Sequence, residues 1–118
     1  MFTLTEGLKI FIDLEPLDLR KSIDGLSSQV MDVLSVSPQS GHLFVFFNKS
    51  RDKLKVLLWH RNGFLLLYKK LEKGKFKVPK PNEQGVIEIT ENQFNWLLAG
   101  LDFMLMKAFS EINYSNFY

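Results

Sequence analysis

The stretch that decides the fold is "LKVLLWHRNGFLLLYKK", residues 54–70. Two β-forming runs flank Asn62 and Gly63, and an Asn-Gly pair in this position predicts a tight hairpin in which both turn residues have positive φ. Counting outward from that turn gives the cross-strand pairs Arg61–Phe64, Trp59–Leu66, Leu57–Tyr68 and Lys55–Lys70. Side chains alternate along a strand, so these residues share one face of the sheet, and Leu54, Val56, Leu58, Leu65 and Leu67 take the other.

Further strands are predicted on both sides of this hairpin. The apolar runs "LKIFID" (8–13) and "HLFVFF" (42–47) precede it, and shorter runs at residues 75–78 and 86–90 follow it. The expected architecture is α+β, an antiparallel sheet of about five strands with two helices packed on one face. We expect one domain over residues 1–109 and an aromatic tail over 110–118.

The two helices are predicted from apolar spacing and capping residues. The first has an apolar stripe at spacings of three and four, with Asp18 as its expected N-cap; the stripe is Ile23, Leu26, Val30 and Leu34. The second begins with a capping-box pattern at Thr90 and Gln93 and is expected to be long. Its stripe is Phe94, Leu97, Leu98, Leu101, Leu105 and Ala108.

The composition indicates a globular protein with a core of its own and without disulfides. The chain has 118 residues, no cysteine and 46% hydrophobic residues, so it can bury a core without disulfides or thiolate metal sites. The N-terminus lacks the pattern of a signal peptide, and no apolar run approaches the roughly 18 residues of a membrane span. We therefore expect a cytoplasmic protein without a membrane partner.

The charge is distributed unevenly. Residues 48–81 carry eleven cations against two carboxylates, a net charge of +9, whereas the rest of the chain carries four against eleven, a net charge of −7. Such sorting is typical of proteins that bind an anionic partner, nucleic acid first. The alternative is that the lysines keep the protein soluble and protect sheet edges.

The predicted register places cations and aromatic rings together, as on surfaces that bind nucleic acids. The candidate nucleic-acid-binding residues are Arg51, Lys53, Lys55, Trp59, Arg61, Tyr68, Lys70, Lys75 and Lys77. In the alternative interpretation, Trp59 and Tyr68 pack under a helix or a neighbouring subunit. Lys55 and Lys70, directly opposed, would repel each other unless something negative relieves them.

Signals for enzyme chemistry are sparse. The two histidines, His42 and His60, have no metal-ligand spacing, and there is no glycine-rich phosphate loop. Asp13, Asp18 and Asp24 could hold a divalent ion, as in a nuclease, but favourable placement at a helix N-terminus is the simpler interpretation. We expect no catalytic residue, no metal and no cofactor.

The last predicted helix is apolar around most of its circumference. Trp96, Phe103 and Met106 lie away from its main stripe and are candidate partner-binding residues. A small domain cannot surround a helix completely, so we expect contact with another protein or a second copy.

The motifs "LDLRKSIDGL" (17–26) and "LFVFFNKSRDKLKVLLWHRNGFLLLYKKLEKGKFKVP" (43–79) closely resemble the TnpB accessory protein of the insertion-sequence-66 family. This resemblance implies a non-catalytic accessory protein of bacterial transposition, because strand transfer is assigned to a separate, larger transposase. Its expected partners are DNA, that transposase, or both. Three hypotheses stay open: DNA binding, binding of the transposase alone, and a small metal-dependent nuclease.

Overall fold

The computed structural model describes residues 7–102, which form a five-stranded sheet with helices. The strands are β1 (Ile10–Asp13), β2 (Leu43–Phe47), β3 (Lys53–His60), β4 (Gly63–Lys70) and β5 (Val86–Ile89). The helices are α1 (Ile23–Gln29), which continues as a π-helical segment (Val30–Leu34), and α2 (Glu91–Leu98). The predicted α+β class and strand number are confirmed.

The strand order is β4-β3-β2-β1-β5, with one parallel pair, β1 and β2, in an otherwise antiparallel sheet. Because β1 and β2 are parallel, the chain between them must cross over a face of the sheet, and this crossover contains α1. The β1–α1–β2 crossover carries α1 over one face of the sheet, where Leu26 and Val30 pack on Phe44 and Phe46. Helix α2 follows β5 and packs on the other face, so the prediction of two helices on one face is wrong.

Strand β2 has apolar side chains on both faces of the sheet, so helices must pack on both faces to bury them. All five residues of its "LFVFF" are buried, and consecutive side chains point to opposite faces. Phe44 and Phe46 lie under α1, while Val45 belongs to the cluster formed with Phe94 and Leu97 of α2. A strand buried on both sides has a continuous apolar run rather than an alternating one.

The hairpin exists, but its turn differs from the predicted one. Arg61 has a φ of 59°, and the amide of Asn62 donates to the carbonyl of His60 at 2.7 Å, which is the pattern of a γ-turn. Neither Asn62 nor Gly63 has a positive φ. His60 opposes Gly63, so the register moves by two residues, and the predicted pairs become Trp59–Phe64, Leu57–Leu66, Lys55–Tyr68 and Lys53–Lys70. A shift of two keeps every side chain on its predicted face.

Helix α1 begins later than predicted. Its N-cap is Ser22, and Asp18 lies four residues earlier in a turn, where its Oδ1 accepts the amide of Arg20 at 3.0 Å. Asp18 is therefore not the helix cap. The predicted apolar stripe is confirmed, since Ile23, Leu26, Val30 and Leu34 all contribute to the cluster between α1 and the sheet.

Helix α2 begins as predicted and ends early. Thr90 and Gln93 form the full capping box. Gly100 has a φ of 80°, and the amides of Gly100 and Leu101 donate to the carbonyls of Leu97 and Trp96. This is a Schellman motif, in which glycine takes the left-handed position that closes a helix. The prediction that the helix and its apolar stripe continue through Leu101 is therefore wrong. Helix α2 ends at Leu98, and Leu101 is exposed.

The predicted strand at residues 75–78 is not a strand. The segment lies beside the β2–β3 turn, where the amide of Phe76 donates to the carbonyl of Arg51 at 2.7 Å. Phe76 is buried against Phe47 on the α2 face, with ring centroids 6.0 Å apart. Phe76, with Val78 partly buried against the same cluster, therefore holds a lysine-rich segment against the end of the sheet.

Candidate nucleic-acid interface

Part of the predicted cationic face is present as expected. Lys53, Lys55, Tyr68 and Lys70 lie on the α1 face of the β3–β4 hairpin, near its open end. Lys53, rather than Lys55, stands directly opposite Lys70. The like-charge opposition is therefore real, but it involves a different lysine. Helix α1 covers the centre of this face above Leu57 and Leu66, and the open end of the face remains available to a partner.

Two lysines of the hairpin bind main-chain groups of this chain. The ammonium of Lys55 donates to the carbonyls of Leu19 and Lys21 in the segment before α1. The ammonium of Lys69 donates to the carbonyl of Leu98 at the C-terminus of α2 at 2.6 Å, where a cation also complements the helix dipole. These side chains connect the hairpin to the elements on its two faces, a role that charge counting did not reveal.

A groove of about 820 Å³ lies between the segment before α1 and the open end of the hairpin. Its lining includes three of the candidate residues, Lys53, Lys55 and Tyr68. Lys49 and Arg20 also line it, although sequence reasoning did not select them as binding residues. No local sequence signal marks this wall, because it follows from the parallel pairing of β1 with β2. That pairing brings Leu17 to the end of β2, where its amide donates to the carbonyl of Phe47 at 2.8 Å.

The groove contains one carboxylate among its lining residues, that of Asp18. The guanidinium of Arg20 binds it with two nitrogens, and the shortest contact joins Nη2 and Oδ2 at 2.7 Å. This hydrogen bonding lowers the pKa of Asp18 to about 2. The carboxylate is thus neutralised locally, and the remaining charged groups of the lining are lysines.

A second group of candidate residues lies around another groove, of about 420 Å³. Arg51 lies in the turn before β3, with a φ of 60°, and its guanidinium donates to the carbonyl of Val78 at 3.0 Å. Lys75 and Lys77 flank the buried Phe76 and are exposed beside Arg51. This group adjoins the α2 face, so the cations do not form the single plane that the alternation predicted.

The last two candidate residues lie at the turn end of the hairpin. Trp59 is half-buried and meets Phe64 edge to face, with ring centroids 5.0 Å apart. Arg61 is exposed in the turn itself. Five paired residues of each strand separate Trp59 and Phe64 from Lys53 and Lys70, so neither Trp59 nor Arg61 shares a surface with the other candidates.

The cations therefore concentrate at one end of the sheet, where β2 leads into β3 and β4 ends. We call this surface the basic end; it comprises Lys49, Arg51, Lys53, Lys70, Lys73, Lys75, Lys77 and Lys80. The ion pairs between described residues, Lys9–Glu88 and Arg20–Asp18, involve other cations. Asp52 lies within the basic end, and its pKa is lowered chiefly by a hydrogen bond from Asn48 and also by Lys53 and Lys70.

The family model of the IS66 Orf2-like proteins matches residues 8–108. The chain belongs to the IS66 Orf2-like family. It is 36% identical over 103 residues to the uncharacterized protein y4jC of Sinorhizobium fredii (strain NBRC 101917 / NGR234), covering 87% of each chain. It is also 34% identical over 97 residues to the uncharacterized protein y4hO of the same strain, covering 82% of this chain and 84% of that one. No solved structure matches significantly.

Family membership makes this IS66 Orf2-like protein a transposition-associated accessory protein. The match includes every strand of the described sheet and both helices, so the basic end and both grooves lie within the family region.

The three carboxylates considered for a nuclease have separate surroundings in this IS66 Orf2-like protein. Asp13 is buried and accepts the side-chain amide of Gln29 at 3.1 Å, whereas Asp18 binds Arg20. Asp24 is exposed in the first turn of α1. Between residues 7 and 102, no group of three or more His, Cys, Asp or Glu side chains is arranged to hold a metal ion. The nuclease hypothesis gains no support from this arrangement.

Of the three candidate partner-binding residues, Trp96 lies in the part of the chain that the structure describes. Trp96 is half-buried on α2 and packs against the core on that face. Phe103 and Met106 lie outside the described residues. In the part of the chain that the structure describes, no helix is long and apolar enough to cross a membrane.

Proposed function

We propose that this accessory protein binds DNA by contacting its phosphate backbone with the basic end. The observation that supports the proposal is the concentration of eight cations at one end of the sheet, with only Arg61 at the turn end of the hairpin. A one-sided positive field attracts a polyanion and orients it before contact. The proposal does not depend on Trp59 or Arg61.

The opposed pair Lys53 and Lys70 also supports an anionic partner. Like charges directly across a strand pair destabilise the sheet, by roughly 0.2–1 kcal/mol. Lys53 and Lys70 nevertheless stand opposite each other at the exposed end of the hairpin. A phosphate between the two ammonium groups would turn this repulsion into attraction. The same argument applies to any anionic surface, so the test must separate DNA from an acidic protein.

The test is a titration of labelled DNA with the full chain over a range of salt concentrations. Each phosphate neutralised on a duplex adds about −0.9 to the slope of log affinity against log salt, so six contacts give about −5. The variant in which Lys53, Lys70, Lys75 and Lys77 are all changed to alanine should reduce the magnitude of the slope by between three and four, about 0.9 for each lysine. Lys9→Ala removes one charge far from the basic end and should leave the slope unchanged.

The larger transposase is the competing partner. If the wild-type chain binds neither duplex nor single-stranded DNA at low salt, the proposal is wrong. If it then co-purifies with that transposase, and the four-lysine variant does not, the basic end is a docking surface for an acidic region of that protein. Thermal unfolding of each variant distinguishes lost binding from lost folding.

A further inference from the structure

One aromatic ring beside the basic end is available for contact. Among the Phe, Tyr and Trp side chains of residues 7–102, Tyr68 is the most exposed, with 56% of its surface open to solvent. It lines the 820 Å³ groove, whereas Trp59 is engaged by Phe64 at the other end of the hairpin. An exposed ring gains free energy when a flat apolar partner covers it.

Tyr68 is held in place by its strand and by a cation. It lies on β4 directly opposite Lys55, whose ammonium is 5.7 Å from the centre of the ring. That ammonium is itself fixed by the carbonyls of Leu19 and Lys21. The ring is therefore supported by the sheet and by the segment before α1, and a partner need not order it on binding.

The groove around Tyr68 combines an apolar floor with cations at its side. Leu66 lines it two residues before Tyr68, and Lys49 and Lys53 supply positive charge. Its volume falls within the range of roughly 300–1,000 Å³ found for sites that hold small organic ligands. A site for phosphate alone would need the lysines but not the ring or the leucine.

We propose that this groove binds an unpaired nucleobase, which stacks on Tyr68 while neighbouring phosphates contact Lys49 and Lys53. The proposal rests on the DNA-binding function proposed above and specifies the form of DNA. In a duplex the faces of the bases are stacked inside the helix, and only a single strand or an extruded base exposes them. The groove is accordingly a site for single-stranded DNA.

The test compares Tyr68→Leu and Tyr68→Phe in the full chain. Affinity is measured for a short labelled single strand and for the duplex of the same sequence, at one low salt concentration. Tyr68→Leu should weaken binding of the single strand about tenfold, as expected when one stacked base is lost, and should leave binding of the duplex unchanged. Tyr68→Phe restores a ring and should recover most of the lost affinity.

A direct probe reports the stacking. The base analogue 2-aminopurine, placed within the single strand, should lose fluorescence on binding the wild type and Tyr68→Phe, and keep it on binding Tyr68→Leu. Lys53→Ala should behave differently, weakening both forms of DNA and reducing the magnitude of the salt slope of each by about 0.7–0.9.

The outcomes separate this proposal from the one on which it rests. Unchanged single-strand affinity in Tyr68→Leu overturns the stacking site and leaves the basic end intact. Equal losses for single strand and duplex also overturn it, because the ring would then act only through the structure of the basic end. A wild-type chain that binds no DNA in any form overturns both proposals.

Discussion

At the turn end of the β3–β4 hairpin, Trp59 and Phe64 pack edge to face, whereas at the open end Lys53 and Lys70 stand opposite each other as like charges. The two ends belong to the same two strands and the same face. What differs is their cover, since Phe64 packs against the cluster under α1 and Lys70 is exposed. The alternation of side chains sets which face a residue occupies, and the packing of α1 decides which residues on that face remain accessible.

The largest expected effect comes from breaking the packed end. Trp59→Ala should lower the free energy of unfolding by about 2 kcal/mol, because it removes a half-buried indole and its edge-to-face contact with Phe64. Urea denaturation measures this loss. The DNA affinity of the folded variant should not change. A lower affinity with unchanged stability would instead assign Trp59 to the DNA-binding surface, as the sequence predicted.

A smaller effect should separate two adjacent lysines of the open end. Lys69→Met should lower the free energy of unfolding by about 1 kcal/mol, because the carbonyl of Leu98 loses the ammonium that binds it. Lys70→Met should leave stability unchanged or raise it slightly, since it relieves the repulsion from Lys53.

The same pair of variants should differ in DNA binding. Lys70→Met should reduce the magnitude of the salt slope by about 0.9, the contribution of one phosphate contact. If Lys69→Met reduces the slope as much and leaves stability intact, the bond to Leu98 is not a structural contact, and both lysines belong to the basic end.

The hairpin shows how far the sequence determines this fold. Period-two alternation placed Lys53, Lys55 and Tyr68 on one face correctly, because a register shift of two residues does not exchange faces. The turn was harder to predict. The Asn-Gly pair suggested a standard two-residue turn, but the structure places the positive φ at Arg61 instead. Local propensity is a weak guide where the packing of Trp59 against Phe64 favours another register.

The relation between α1 and the sheet was missed for a physical reason. The sequence "LFVFF" of β2 is continuously apolar, as expected for a strand covered on both faces. A run this short, however, cannot be assigned to a particular place in the core from its pattern alone. Parallel pairing of β1 with β2 depends on contacts far apart in the chain, and no local pattern specifies it. The groove wall at Leu17 and Arg20 follows from that pairing, so it could not be predicted either.

The turn of the hairpin should respond to substitution at Gly63 and at Arg61. No atom lies within 4 Å of a Cβ added at Gly63, and its φ is not positive, so Gly63→Ala should be neutral or stabilise by up to about 0.5 kcal/mol. Arg61→Gly should stabilise by up to about 1 kcal/mol, because arginine is strained at a φ of 59°. Thermal unfolding measures both changes. A loss of 1 kcal/mol or more in Gly63→Ala would support the predicted turn, in which glycine has the positive φ.

The smallest effect concerns two aspartates near the basic end whose pKa values move in opposite directions. Burial raises the pKa of Asp13 above its ordinary value of 3.8, and hydrogen bonding to Arg20 lowers the pKa of Asp18. A raised pKa in the folded state means that Asp13 contributes stability below pH 3.8 and that this contribution is lost as the pH rises through its folded pKa. For Asp18 the contribution is present above pH 3.8 and is lost as the pH falls towards about 2.

Urea denaturation of the wild type, Asp13→Asn and Asp18→Asn from acid to neutral pH isolates these two contributions. The stability advantage of the wild type over Asp13→Asn should shrink as the pH rises, and its advantage over Asp18→Asn should grow. If both advantages grow with pH, the cations of the basic end outweigh burial at Asp13, and the positive field of that end reaches into the core at the end of β1.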